Sequence, residues 1–207
     1  MTRKSLTLAE RIEDEFRFIR TWATSPKKMG AVSPTSRALT RLMVEHSTVD
    51  PAGMTLELGP GTGVVTEALL EAGIPDEQIV SVEYDADFSR LLRKRFPRVN
   101  VIHGDALDLD GVLGEFRTTR FSAVLSGVPL LTLPKDKRVT YLDRALSRLV
   151  PGGNLTQLSY AFTPPQDAVP GRFVVDKSRW VTFNLPPGRV WIYRRESHPA
   201  ASEDRTA

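Results

Sequence analysis

The chain contains no cysteine among its 207 residues. That excludes a disulfide framework, a thiolate zinc site and a cysteine nucleophile, and it suits a reducing compartment. No apolar run approaches the roughly 20 residues that a membrane-spanning helix needs, and the first residues lack the short apolar core of a secretory signal. Charge of one sign is also scarce, because 28 basic against 25 acidic side chains leave a formal +3. No internal repeat and no low-complexity segment is present. What remains is 41% apolar residues in a length that buries one core, so the expectation is a soluble, intracellular, single-domain protein.

The position of the small positive charge says more than its size. Residues 1 to 30 hold seven basic side chains (Arg3, Lys4, Arg11, Arg17, Arg20, Lys27, Lys28) and four acidic ones (Glu10, Glu13, Asp14, Glu15). The other 177 residues carry 21 of each sign, so the whole excess lies in this first stretch. Thr7 and Glu10 have capping-box spacing, and Leu8, Ile12, Phe16, Ile19 and Ala23 recur every three or four residues, with Phe18 and Trp22 at the margins. The pattern predicts an amphipathic helix ended by Ser25-Pro26. Two uses are open: packing on the domain that follows, or lying in a membrane interface with its basic residues toward anionic headgroups. Lipid docking would gain on the order of 1.5–3 kcal/mol for each buried Ile, Phe or Trp. The four acidic residues work against it.

Beyond the link Val49-Asp50-Pro51-Ala52-Gly53, apolar strand candidates alternate with amphipathic helices. Strands are expected at Thr55–Leu58, Ile79–Tyr84, Val99–His103, Phe121–Ser126 and Asn154–Tyr160, and helices at Val64–Ala72, Ala86–Phe96 and Val139–Leu149. Apolar strands joined by helical crossovers imply a doubly wound α/β domain with a mostly parallel sheet. Near the end, Arg179–Leu185 and Val190–Arg195 flank Pro186-Pro187-Gly188, too close for a crossover helix, so they read as an antiparallel edge hairpin. The Pro-rich stretch after Tyr160 reads as a loop over the ligand edge, and residues 197–207 as a flexible tail.

One motif carries a ligand. Leu56-Glu57-Leu58-Gly59-Pro60-Gly61-Thr62-Gly63 ends the first strand and opens the first helix. Its glycines allow a tight turn and a close ligand approach, at the edge where such sheets bind nucleotides. Glu83 closes the second strand 20 residues after Gly63, where an acid can accept both hydroxyls of a ribose. Gly104-Asp105-Ala106 closes the third strand, where a carboxylate can accept from an adenine amine, and Ser126-Gly127-Val128-Pro129 closes the fourth, beside the reacting group. Each alone is readable as a solvated turn; four on one rim point to a site. No Lys-Ser or Lys-Thr follows the loop, and Glu57 disfavours a pyrophosphate. A ribose- and adenine-bearing ligand with a cationic group, S-adenosylmethionine, fits better.

These residues, with Pro151-Gly152-Gly153 before strand five and the final pair of strands, resemble the class I S-adenosylmethionine-dependent methyltransferases. Met29-Gly30-Ala31-Val32-Ser33-Pro34, Ser126-Gly127-Val128-Pro129-Leu130 and Asn184-Leu185-Pro186-Pro187 running into Val190-Trp191-Ile192-Tyr193-Arg194-Arg195 narrow the resemblance to bacterial phospholipid N-methyltransferases. That family takes phosphatidylethanolamine toward phosphatidylcholine. The resemblance implies a seven-stranded Rossmann-like sheet, a methyltransferase domain over 31–196 preceded by a docking segment over 1–30, and a monomer peripheral to the inner face of the cytoplasmic membrane. It implies cofactor contacts from Ser33, Glu57, Gly59, Pro60, Gly61, Thr62, Gly63, Glu83, Tyr84, Asp105 and Ala106, with Ser126 and Gly127 facing the methyl group. The expected partners are a phospholipid substrate and an anionic membrane surface, without nucleic acid and without a metal.

The amine must lose a proton from a lysine-like pKa of about 10 before attack, and burial against apolar walls lowers that value. Backbone carbonyls at Ser126 and Gly127 are candidates to orient its N–H groups, and Tyr160 to contact it through the hydroxyl; an edge aromatic with a wet hydroxyl is the plainer reading of Tyr160. His103 is a weaker candidate base, since its place in a strand favours a buried packing role. Lys135, Lys137, Arg172, Lys177 and Arg179 are candidate cations for the lipid phosphate. Three alternatives stand beside this reading: an rRNA adenine N6-dimethyltransferase, a soluble small-amine methyltransferase, and a membrane-binding or remodelling protein. Against the first, Ser126-Gly127-Val128-Pro129 lacks the Asn and the aromatic ring that grip a flipped base, and the neutral body lacks a basic stripe.

Overall fold

The structure, a computed structural model, describes residues 36–182 and 187–196. The expected helix within residues 1–30, Ser33, Asn184-Leu185-Pro186 and the tail lie outside the described residues. Seven strands form one sheet in the order β3-β2-β1-β4-β5-β7-β6: β1 (Thr55–Leu58), β2 (Ile79–Glu83), β3 (Asn100–His103), β4 (Phe121–Ser126), β5 (Leu149–Ser159), β6 (Phe173–Lys177) and β7 (Arg189–Arg195). The pairs β3-β2, β2-β1, β1-β4 and β4-β5 are parallel, while β5-β7 and β7-β6 are antiparallel. The expected doubly wound sheet is therefore present. The chain winds outward from β1 on one side and returns to β4 on the other, so the crevice between the ends of β1 and β4 is the switch point at which such sheets bind ligands.

The central strands have no solvated face. Thr55–Leu58, Ile79–Glu83 and Phe121–Ser126 are buried throughout, because helices cover both sides. On one face Leu56, Val80, Val82 and Val124 pack with the Tyr141, Leu142, Ala145 and Leu146 side of α5 (Lys135–Ser147). The short α4 (Leu109–Val112) lies against the same cluster through Leu109. On the other face Ile79, Ala123, Leu125 and Val190 meet α1 (Arg37–Glu45), α2 (Val64–Glu71) and α3 (Ala86–Arg95) through Leu39, Leu42, Met43, Val65, Leu69 and Leu92.

No helix was expected at α1, yet its signals are local. Ser36 caps it by accepting from the Leu39 N–H, and Leu39, Leu42 and Met43 recur at spacings of three and four as its buried stripe. Each buried side chain contributes on the order of 1.5–3 kcal/mol. Beyond α1, the Thr48 N–H donates to Asn154 Oδ1 at 3.1 Å, and Asn154 Nδ2 donates to the His46 carbonyl at 2.8 Å, tying the segment to β5.

The C-terminal region corrects two expectations. The strand at the edge beside β7 is Phe173–Lys177; of the expected Arg179–Leu185, residues 183–185 lie outside the described residues, and among 179–182 the pairing is the bridge from Val181 to Gly188. Phe173 supplies a fully buried ring to the α5 face, which anchors this strand at the edge. The loop between β5 and β6 also does not stay over the ligand edge. It runs down the α5 face, where Arg138 donates to the Pro165 carbonyl at 2.9 Å and Tyr193 Oη donates to the Gln166 carbonyl at 2.8 Å.

Candidate active site

At the end of β1 the chain must turn at once into α2, and the turn uses residues without a Cβ. Gly63 adopts φ +88°, and a Cβ there would lie 2.6 Å from Phe96 Cε2 and 2.8 Å from Leu92 Cδ2. The close seat of α2 on α3 thus requires glycine. At the end of β4, a Cβ on Gly127 would lie 2.7 Å from the Gly59 carbonyl oxygen. The two strand ends approach with only backbone between them. Pro60 accepts the Gly63 N–H at 2.9 Å, and the Thr62 carbonyl accepts from Arg95, which closes the loop without a side-chain cap.

Two carboxylates organise this loop. Glu83 Oε2 accepts the Gly61 N–H at 2.8 Å and Oε1 accepts the Asp85 N–H at 2.8 Å, so it holds the glycine loop as well as facing the rim. Each oxygen keeps a second lone pair for a hydroxyl donor. Glu57 is 1% exposed; its Oε2 accepts from Thr66 Oγ1 and Ser81 Oγ, both at 2.7 Å, while Oε1 has no partner among the described residues. Burial pushes the Glu57 carboxyl up to about 7, partly offset by the Thr66 and Ser81 hydrogen bonds and reinforced by the nearby Glu83. A buried carboxylate with one orphaned oxygen, behind a loop of glycines, suits a cationic ligand. Thr66 and Ser81 escaped the sequence reading because their link to Glu57 spans 9 and 24 residues.

The other expected positions fall on the same rim in different states. Tyr84 follows β2 and is 75% exposed, a bare ring available for stacking. Asp105 is exposed and spends Oδ1 on the Leu107 N–H at 2.8 Å, and Ala106 is buried. Gly127 lies exposed beyond β4, with its N–H donated to the Leu58 carbonyl at 2.8 Å. Ser126 ends β4 wholly buried, and its hydroxyl shares a 2.7 Å hydrogen bond with Tyr141 on α5, which leaves its backbone carbonyl as the group for the expected role. The buried role expected of His103 is corrected; it is exposed and its Nε2 lies 3.1 Å from the Tyr84 carbonyl oxygen. Tyr160 follows β5 with its ring against Gly188 and the α1-side core.

Of the expected phosphate cations, Arg172 pairs with Asp143 at 2.6 Å and Arg179 lies 3.9 Å from Glu45. Lys135, Lys137 and Lys177 are exposed. The sequence reading passed over Arg189, which is 9% exposed and lies between the rings of Trp180 and Trp191. The signal was Arg189-Val190-Trp191, two large polar-tipped side chains two apart in a buried strand. Among the described residues no group of three or more metal-ligating side chains is found, and no helix is long and apolar enough to cross a membrane.

A methyltransferase domain family matches residues 55–153. An ornithine lipid N-methyltransferase of Singulisphaera acidiphila is 30% identical over 191 residues, covering 88% of this chain and 97% of that protein. A ribosomal RNA small subunit methyltransferase A of Synechococcus is 53% identical over only 57 residues, 26% of this chain and 19% of the relative. Among solved structures, TrmN from Thermus thermophilus superposes with a TM-score of 0.60 at 17% identity, covering 84% of this chain and 52% of that one. A TehB-like S-adenosylmethionine-dependent methyltransferase from Corynebacterium glutamicum gives 0.55 at 14%, covering 90% and 98%.

Proposed function

The chain belongs to the class I S-adenosylmethionine-dependent methyltransferases, and from that premise we propose that it N-methylates the amine of a membrane lipid headgroup. The observation that carries the reading is the match to a lipid N-methyltransferase over 97% of that protein, against 19% for the ribosomal RNA relative of Synechococcus. Our first substrate is phosphatidylethanolamine and its mono- and dimethyl products, taken toward phosphatidylcholine. The likeness to an ornithine lipid N-methyltransferase favours a second, an ornithine lipid.

The residues of the β1 and β2 ends fit the cofactor. Glu57 Oε1 is a buried acceptor with no partner among the described residues, Glu83 keeps acceptor capacity at the rim, and the Gly59–Gly63 loop leaves room above Gly61, where a Cβ would meet nothing within 4 Å. We assign Glu57 to the cationic portion, Glu83 to the ribose hydroxyls, Tyr84, Asp105 and Ala106 to the adenine side, and Gly59 to Gly63 to close backbone approach. S-adenosylmethionine supplies an electrophilic methyl group on a sulfonium. The chain's own contribution is then mostly positional, since in-line transfer rewards a nucleophile held on one axis. Gly127, exposed at the end of β4, leaves the acceptor a path along backbone, and its carbonyl and that of Ser126 are our candidates to orient the amine N–H groups. Exclusion of water by the apolar walls favours the neutral amine. Tyr160 is kept as a headgroup contact, and residues 1–30 as the segment that docks on an anionic membrane surface.

The test is incubation with methyl-labelled S-adenosylmethionine and, separately, vesicles containing phosphatidylethanolamine, vesicles containing ornithine lipid, and ribosomal RNA. Label in one of the two lipids is expected. Label in RNA with neither lipid labelled would reject the reading.

A further inference from the structure

The rim of β5 and β7 carries three buried polar atoms with no hydrogen-bond partner among the described residues: Gln157 Oε1, Arg189 Nε and Trp191 Nε1. Their residues are 1%, 9% and 4% exposed. They share one place. Gln157 is paired directly with Trp191 across the strands, Ser159 with Arg189, and the Arg189 guanidinium lies 5.3 Å from the Trp191 ring centre. Directly opposed residues of an antiparallel pair project to the same face. Single buried polar atoms without partners also occur elsewhere in the fold, at Thr55, Ser89 and Thr156 among the described residues; three on neighbouring side chains of one rim ask for a ligand.

The set has a defined polarity. Gln157 Nε2 donates to the carbonyls of Val128 at 2.9 Å and Leu158 at 2.8 Å, which uses both of its hydrogens and leaves Oε1 as a fixed acceptor. Arg189 and Trp191 offer donors only. Arg189 takes part in none of the ion pairs among the described residues. Its charge is compensated by the faces of Trp180, 4.5 Å away, and Trp191. A buried cation held by ring faces alone still lacks an anion.

We propose that Gln157, Arg189 and Trp191 form the acceptor-headgroup subsite and take a zwitterion, with its amine at Gln157 Oε1 and its oxyanion at Arg189 and Trp191. This rests on the lipid reading above, and it applies to both candidate substrates, since an ethanolamine phospholipid pairs its amine with a phosphate and an ornithine headgroup with a carboxylate. The placement agrees with the chemistry. Gln157 is bonded to Val128, which packs against the Gly59 turn, so the amine end lies beside the ends of β1 and β4. Arg189 lies one strand farther out, about 5 Å at sheet spacing. On the approach, Trp180 lies against both Arg189 and Phe162, whose ring centre is 5.1 Å from it and which is 84% exposed. An apolar chain therefore meets aromatic surface where the headgroup enters.

The experiment has two arms on the full chain. Tryptophan emission is titrated with phosphoethanolamine, ornithine, ethanolamine and inorganic phosphate. A saturable change with one of the two zwitterions, absent with ethanolamine and weaker with phosphate, is expected; equal responses to ethanolamine, or a response to phosphate alone, would overturn the subsite. In the second arm Arg189→Gln should raise the KM for vesicle lipid roughly 10- to 100-fold, as loss of a charge-assisted contact implies. The affinity for S-adenosylhomocysteine should be kept, and Arg189→Lys should fall between. An unchanged KM in folded Arg189→Gln overturns the subsite while labelled lipid leaves the lipid reading standing. If wild-type chain labels no lipid yet responds to a zwitterion, the lipid reading falls and the subsite stands. If Arg189→Gln does not bind S-adenosylhomocysteine, the wild-type titration and Arg189→Lys decide.

Discussion

Glu57 makes the stability of the ligand-free protein fall as pH rises, and a ligand cation should reverse the effect. Its carboxyl titrates near 4.5 when free and near 7 in the fold, because burial outweighs the hydroxyls of Thr66 and Ser81. Between those values the folded state holds a proton that the unfolded chain has released. Stability from this group is therefore fully present below about pH 4.5, declines through the window and is lost above about pH 7. The span of about 2.5 units corresponds to about 3 kcal/mol at 1.36 kcal/mol per unit. Glu57→Gln keeps the shape and removes the titration. Urea unfolding of both forms between pH 4.5 and 8 should show the variant gaining on wild type by about 3 kcal/mol across the window. A bound cation near Oε1 favours the carboxylate, so cofactor binding near pH 6.5 should release a proton, seen by calorimetry in two buffers of different ionisation enthalpy. The variant should release none and bind at least about tenfold more weakly, the loss of a charge-assisted contact. Parallel stability curves for the two forms, or equal proton release, would refute the argument.

Three further outcomes follow from specific contacts. Glu83→Ala removes the acceptor for the Gly61 and Asp85 N–H groups as well as the proposed ribose contact; cofactor affinity should drop by roughly 100-fold, with a stability loss of about 1–3 kcal/mol, and a wild-type titration would remove it from the site. Ser126→Ala strands the buried Tyr141 hydroxyl but keeps the backbone carbonyl, so unfolding should show a cost of about 1–3 kcal/mol while kcat at saturating lipid stays near wild type; a large fall in kcat with stability intact would assign the Ser126 hydroxyl to the chemistry. Deletion of residues 1 to 24 should abolish sedimentation with anionic liposomes and leave S-adenosylhomocysteine affinity measurable; unchanged sedimentation counts against docking through this segment.

How much was legible depended on the range over which a signal acts. The glycines at 59, 61 and 63 and the acid at 83 form a pattern within about 25 residues, because a strand-to-helix turn and the next strand end are covalently near. The central strands β1, β2 and β4 were legible because two-sided burial demands continuous apolar runs. The C-terminal pairing was not. Phe173–Lys177 and the stretch after Ser178 both carry strand-forming residues, and the choice between them was made by which could bury Phe173 against Tyr193 while Arg138 held the preceding loop on α5. Ser126 was placed on the correct strand end, but its side chain points to Tyr141, a residue 15 positions away that no local pattern links to it.

By itself the sequence determined the class of fold, the place of the glycine loop and the absence of thiol chemistry, since those depend on residue type, period and short spacing. Only the tertiary structure decided that Glu57 is buried with one oxygen unclaimed among the described residues, that Glu83 holds the loop it faces, and that Arg189 lies over two indoles with no carboxylate partner among those residues. Burial and missing partners are properties of segments brought together across the sheet. The energies that prepare a site for its ligand arise there, from charge held out of water among groups distant in the chain.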